Sequence, residues 1–103
     1  MIQRMKNYVT ITVPGVDMHE MTNIEVTIEQ ESTGKEFTYS GGAISLSEEG
    51  KVIVEMPKDD AATFDTEDAQ GQVMFTRPGG IPDASRIFRI PVYELLKDDG
   101  YGD

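Results

Sequence analysis

Hydrophobic and polar residues alternate along much of this chain, most cleanly over Asn23–Gln30 (Asn-Ile-Glu-Val-Thr-Ile-Glu-Gln). Ile24, Val26 and Ile28 fall on one side, Glu25, Thr27 and Glu29 on the other. That is the period of a strand with one dry and one wet face. A single half-buried strand is not stable alone, so other segments must pair with it and cover its dry face. The same period recurs upstream. Tyr8–Val13 places Val9, Ile11 and Val13 inward and stops at Pro14-Gly15, where Pro lacks a donor and Gly permits a turn. Val16–Thr22 reads as a connection. Glu31–Lys35 is a turn of hairpin length, and Glu36–Tyr39 returns from it with Phe37 and Tyr39 on one face. Ser40-Gly41-Gly42 breaks the run before Ala43–Ser47, in which Ile44 and Leu46 share a side. Glu48-Glu49-Gly50 turns again into Lys51–Met56. There Val52, Val54 and Met56 share a face and Ile53 lies opposite.

Pro57 closes that strand. Asp59 or Asp60 is expected to cap one helical turn through Ala61-Ala62-Thr63, with Phe64 tucked under the sheet. Gly71–Arg77 is a strand with Val73 and Phe75 set against Gln72, Met74 and Thr76. Pro78–Asp83 is rich in breakers and reads as a loop. Ser85–Tyr93 is the last strand, with Phe88, Ile90 and Val92 pointing one way and Ile87, Arg89 and Tyr93 the other. Pro91 cannot donate to a ladder, so this strand belongs at an edge or is bulged. Residues 8–96 therefore read as a single domain and residues 97–103 as a flexible C-terminal tail. Seven short alternating strands and no long amphipathic helix predict an all-β, immunoglobulin-like sandwich of two antiparallel sheets. A small closed barrel is the second arrangement compatible with the pattern. The Cys and Trp marks of an antibody domain are absent.

Composition narrows the functional classes. The chain has 103 residues, one ordinary domain, and folding at that size buries about 65% of the unfolded surface. With no Cys, there are no disulfides, zinc thiolates or thiol nucleophiles. That suits a chain assembled in a reducing cytoplasm. The net charge is −10, shared as −4 over residues 1–52 and −6 over residues 53–103, so no acidic tail accounts for it. Such a surface repels nucleic acid and anionic lipid and suits a basic partner. The N-terminus lacks the apolar run of a signal peptide, and no apolar stretch approaches the roughly 20 residues of a membrane span.

Candidate chemistry is sparse. His19 is the only histidine and stands beside Asp17 and Glu20, but one imidazole with two carboxylates is a weak metal signature, and an exposed loop histidine is the ordinary reading. A serine triad would need His19 as its base, and no Ser lies in a Gly-x-Ser-x-Gly elbow. Asp65-Thr66-Glu67-Asp68 is the densest carboxylate cluster. Its spacing does not match a twelve-residue calcium loop, and a solvated acidic loop is the simpler reading, as for Asp59-Asp60 and Asp98-Asp99. Paired acids of the kind used in glycoside hydrolysis occur in any acidic protein. Arg77-Pro78-Gly79-Gly80 lacks the Lys-Ser/Thr of a phosphate loop and reads as a turn. Neither a cofactor nor a metal is expected. Four apolar residues fall opposite the assigned core: Ile53, Met74, Ile87 and Tyr93. Gathered on one sheet they would form a contact patch for a second copy or another protein. A register shift of one residue would bury them instead.

The pattern resembles small all-β proteins of phage and prophage structural gene clusters, and it is similar to the N-terminal domain of baseplate upper-type tail proteins. The resemblance rests on Thr10-Ile11-Thr12-Val13-Pro14, the alternating strand ending at Gln30, and Met56-Pro57-Lys58-Asp59-Asp60 with Phe64. The Gly71–Arg77 strand, Ala84-Ser85 and Leu95-Leu96 complete it. Met74-Phe75 stand where members often carry a tryptophan, and Ala61 where they often have Thr. The resemblance implies a virion structural or adaptor role in a tail or baseplate, no catalytic residue, and other virion proteins as partners. It also implies assembly in the host cytoplasm and a final place in the virion. The rival is a carbohydrate- or ligand-binding module using Tyr8, Tyr39, Tyr93 and Tyr101. A small hydrolase using paired acids is a third reading.

Overall fold

The computed structural model describes residues 1–94. The tail at 97–103, with Leu95-Leu96, Asp98-Asp99 and Tyr101, lies outside the described residues. Among the described residues, eight strands form two antiparallel sheets packed as a sandwich, and neither sheet closes into a barrel. The smaller sheet has the order β1-β5-β4: β1 (Asn7–Ile11), β5 (Val52–Met56) and β4 (Ile44–Leu46). The larger has the order β3-β2-β6-β7: β3 (Lys35–Tyr39), β2 (Thr22–Gln30), β6 (Ala69–Arg77) and β7 (Ile81–Ala84). β8 (Phe88–Ile90) also pairs with β6.

Alternation decides which side chains meet between the layers. Val26 and Ile28 on β2 and Val73 and Phe75 on β6 face Ile11, Val52, Val54 and Met56 of the smaller sheet, and all are buried. Phe64 lies in the same core as expected, edge-on to Phe37 with ring centres 5.8 Å apart. Burying one such side chain contributes about 2 kcal/mol or more. Gln30 follows Val26 and Ile28 in phase and is buried too.

Several expectations are corrected. The last strand, drawn over Ser85–Tyr93, is two pieces. β7 runs through Ile81–Ala84, inside the segment read as a loop, and β8 covers only Phe88–Ile90. Together they form one interrupted strand along β6, paired at Arg77↔Ile81 to Met74↔Ala84 and at Gly71↔Phe88 to Ala69↔Ile90. The interrupted strand lies at the edge of the sheet, one of the two places expected from Pro91, and its break begins at Ser85. Ser85 Oγ accepts the Val73 N–H at 3.0 Å in place of the Ser85 carbonyl, which turns aside to Gln72 Nε2 at 2.9 Å. The short helix α1 (Lys58–Ala61) starts at Pro57 with no side-chain cap, so Asp59 and Asp60 sit in its first turn instead of capping it. The connection Val16–Thr22 carries a 3-10 turn, Met18–Glu20, capped by Asp17 Oδ1 on the His19 N–H at 3.0 Å, and Met18 is fully buried. Val13 is buried although β1 ends at Ile11.

The chain before residue 8 also belongs to the fold. Gln3 N–H donates to the Tyr93 carbonyl at 3.0 Å, and Tyr93 N–H to that of Met1 at 2.9 Å. Gln3 Nε2 donates to the Phe64 carbonyl at 2.8 Å. The N-terminal residues thus lie parallel to 91–93 and are tied to Phe64.

Candidate interaction surfaces

The four residues proposed for an interface do not gather in one place. Ile53 is half-buried on the outer face of the smaller sheet, where its register neighbours are Thr10 and Ser45. Met74 and Ile87 lie over the outer face of the larger sheet and are 37% and 65% exposed. Tyr93 is 59% exposed and sits at the N-terminal seam opposite Ile2. Met74 has apolar company: Ala84 is its register partner, and Pro82 pairs with the neighbouring Thr76. Met74, Pro82 and Ala84 line a shallow hollow of about 540 Å³ with Asn23 and Glu25. Ile87 borders a second, of about 140 Å³, with Thr27, Glu29, Glu36 and Gln72. The outer face of the larger sheet thus carries an apolar cluster of Met74, Pro82 and Ala84 beside Glu25, and Ile87 in a separate hollow with Gln70, Gln72, Glu29 and Glu36.

A third hollow, of about 470 Å³, opens between the layers and is lined by Met21, Ile24, Glu25, Ser40, Ile44 and Leu46 among others. β2 is irregular beside it. Asn23 adopts a left-handed φ of 51°, and the register against β6 slips by one residue between Thr22 and Glu25. Such a bulge re-aims the strand, and Asn tolerates that backbone region better than most residues. Across the hollow, Ile44 and Leu46 point inward opposite Val54 and Val52 but, on an edge strand, stay half-buried.

The free edges of β7 and β4 differ. Ser85 N–H donates to the Val73 carbonyl at 2.8 Å, which sets the antiparallel alternation along β7. Pro82 and Ala84 then face outward. Pro82 has no N–H, and that of Ala84 is taken by Asp83 Oδ1 at 2.8 Å. The Asp83 carboxyl also receives Arg77 Nε at 2.6 Å, and these bonds, Arg77 first, hold its pKa below the usual carboxylate range. This edge offers no free donor to an added strand, a common protection. On β4 the Ser47 N–H donates to the Lys51 carbonyl at 3.0 Å, so Ser45 bonds to β5 while Ile44 and Leu46 face outward. Ile44 N–H is held by the Gly41 carbonyl. The N–H and C=O of Leu46 and the C=O of Ile44 remain on the edge.

The candidate chemical groups have structural duties. Gln30 Nε2 donates to the carbonyls of Asp65 and Glu67 at 3.0 and 2.7 Å, and its Oε1 accepts the Asp65 N–H at 2.9 Å and the Thr33 hydroxyl at 3.0 Å. Asp65 Oδ1 accepts Ser32 Oγ and the Glu67 N–H, and Asp68 Oδ2 faces Arg89 at 3.1 Å. The carbonyls that a calcium loop would aim at an ion are therefore turned to Gln30. Among the described residues, no group of three or more His, Asp or Glu side chains is placed to hold a metal ion. His19 Nε2 lies 2.9 Å from the Ser47 carbonyl and pins the 3-10 turn to the β4–β5 hairpin. Of the tyrosines considered for sugar stacking, Tyr39 is buried. Its OH donates to Asp60 Oδ2 at 2.9 Å. Tyr8 is exposed, with Lys6 Nζ 5.9 Å from its ring centre. Sequence reading missed Gln30 and the β4 edge. The signals were present: the phase of Gln30 points it inward, and Ser47–Lys51 flanks a three-residue loop ending in Gly50.

These features define an all-β, two-sheet sandwich. No helix among the described residues is long and apolar enough to cross a membrane. No protein-family model matches the chain, and no curated protein is significantly similar to it.

Proposed function

We propose that the protein is a non-enzymatic structural or adaptor component that works through protein–protein contacts, of the kind found in phage or prophage tails and baseplates. The observation that carries the reading is the outer face of the larger sheet, where Met74, Pro82 and Ala84 present apolar surface beside Glu25, and Ile87 stands exposed in a separate hollow. Apolar residues scattered singly have no such meaning, but adjacent positions on two paired strands make a contact patch. The blocked β7 edge supports the same reading, because it directs contact to the face and away from open-ended strand pairing. The phage assignment itself rests on the strand-and-turn resemblance.

Two measurements test it. Light scattering across a dilution series, alone and with the products of neighbouring genes, is expected to show a complex that Met74→Glu abolishes while the circular dichroism spectrum stays unchanged. Mass spectrometry of particles purified from cells carrying the gene is expected to find the protein at a fixed ratio to other virion proteins. A Met74→Glu complex of undiminished mass would remove the face from consideration, and particles without the protein would remove the phage role.

A further inference from the structure

We propose that the hollow at the free edge of β4 is a strand-addition site for an extended, basic segment of another protein. Three observations converge there. First, Leu46 presents both its N–H and its C=O outward, which is one complete pairing step for an antiparallel strand, and the Ile44 carbonyl adds an acceptor. In this recognition mode the main chain supplies affinity and alternate side chains supply specificity. Second, Met21, Ile24, Ile44 and Leu46 line the adjoining hollow of about 470 Å³, where every second side chain of an added strand would land. Third, the surroundings are predominantly acidic, with Lys51 across from Ser47 and Lys6 beside Gly42 and Ala43 set against five carboxylates. Residues 17–25 and 40–49, which carry the lining and its approaches, hold Asp17, Glu20, Glu25, Glu48 and Glu49 and no Lys or Arg. His19 joins the two segments through its contact with the Ser47 carbonyl at 2.9 Å.

Charge also selects the occupant. A second copy brings a net −10 of its own. The chain's residues 95–103 carry Asp98, Asp99 and Asp103 against Lys97. A segment alternating basic and aliphatic residues matches the apolar hollow and the acidic approach together. The contrast with β7, whose outward donors are removed by Pro82 and Asp83, supports a β4 edge left open for use. The pairing edge belongs to the other sheet from Met74, while the hollow shares Asn23 and Glu25 with that beside Met74, so the Leu46 amide is the readout that separates this site from the outer-face contact.

The test is an amide NMR titration of the uniformly labelled full chain with a capped peptide alternating lysine and valine. Saturable shifts at Met21, Ile24, Ile44 and Leu46 are expected, with exchange of the Leu46 amide slowed about tenfold or more. A glutamate–valine peptide and a backbone N-methylated lysine–valine peptide should each bind at least about tenfold more weakly. These controls alter the ligand alone, so the fold of the protein is not at issue. Absence of shifts at Leu46 overturns the proposal, as does equal binding of the acidic or N-methylated peptide. Shifts at the same amides on raising the protein concentration alone would assign the site to a second copy and overturn it too.

Discussion

Tyr39 ties the larger sheet to the helix that follows the smaller one. Its phenol is raised well above the usual 10.0, first by burial, then by the hydrogen bond to Asp60, then by the Asp60 charge. Because the folded state holds this proton more tightly than the unfolded chain, its contribution is fully present below pH 10.0 and is lost progressively as pH rises above that value. Tyr39→Phe should cost about 1 kcal/mol near neutrality, the loss of one hydrogen bond. It should also flatten the fall in stability between about pH 10 and 11.5. Urea midpoints across that range decide the matter, and parallel slopes for the two proteins would contradict it. At this scale the sequence was half legible. The inward phase of Phe37 and Tyr39 follows from alternation, but Asp60 looked like a helix cap, and only the packed fold shows that it serves as an acceptor. Gln30 teaches the same lesson: its position was legible, while its partners lie 35–37 residues away in a loop that looked merely acidic and 3 residues away in the hairpin turn.

The β6 strand organises the larger sheet, and one glycine makes that possible. A Cβ added at Gly71 would lie 2.5 Å from Phe88 Cζ and 3.2 Å from Ile90 Cδ1. Gly71 is thus the gap through which β8 lays its ring across β6, a close approach of the kind strand glycines permit. Gly71→Ala should cost about 2 kcal/mol by overpacking. In a Phe88→Ala background the same change should cost less by about 1 kcal/mol, since neighbouring sites couple. Urea unfolding of the four proteins in the cycle measures this, and strict additivity would show that β8 does not depend on the gap. Period-2 patterning found every strand except β7. It failed there because β7 contains Pro82 between two glycines and a serine break, and none of its four residues is buried. A strand held only by its edge pairing leaves no hydrophobic phase to read. Gly50 shows a glycine the pattern did place: its φ of +79° closes the β4–β5 hairpin, and its missing Cβ leaves room for Asp17 Oδ1.

A sandwich has two outer faces pointing opposite ways, and this limits how its exposed apolar residues can cooperate. The phase of each strand showed that Ile53, Met74, Ile87 and Tyr93 are turned from the core. Strand order, which decides whether they are neighbours, depends on long-range pairing that no local pattern encodes. Ile53 belongs to the smaller sheet and Met74 and Ile87 to the larger, so one partner surface laid on a face reaches one set and not the other. Ile87 is the more exposed, at 65%, and its substitution should disturb no core contact. Ile87→Glu should therefore break the outer-face complex with no change in the urea midpoint. Ile53→Glu should leave the complex intact and lower stability by about 1 kcal/mol, through lost packing between Thr10 and Ser45. Light scattering and urea unfolding of both variants separate the two effects. Loss of the complex in Ile53→Glu with Ile87→Glu unaffected would move the contact to the smaller sheet. There Tyr8 and Glu55, flanking Ile53, would be the next residues to change.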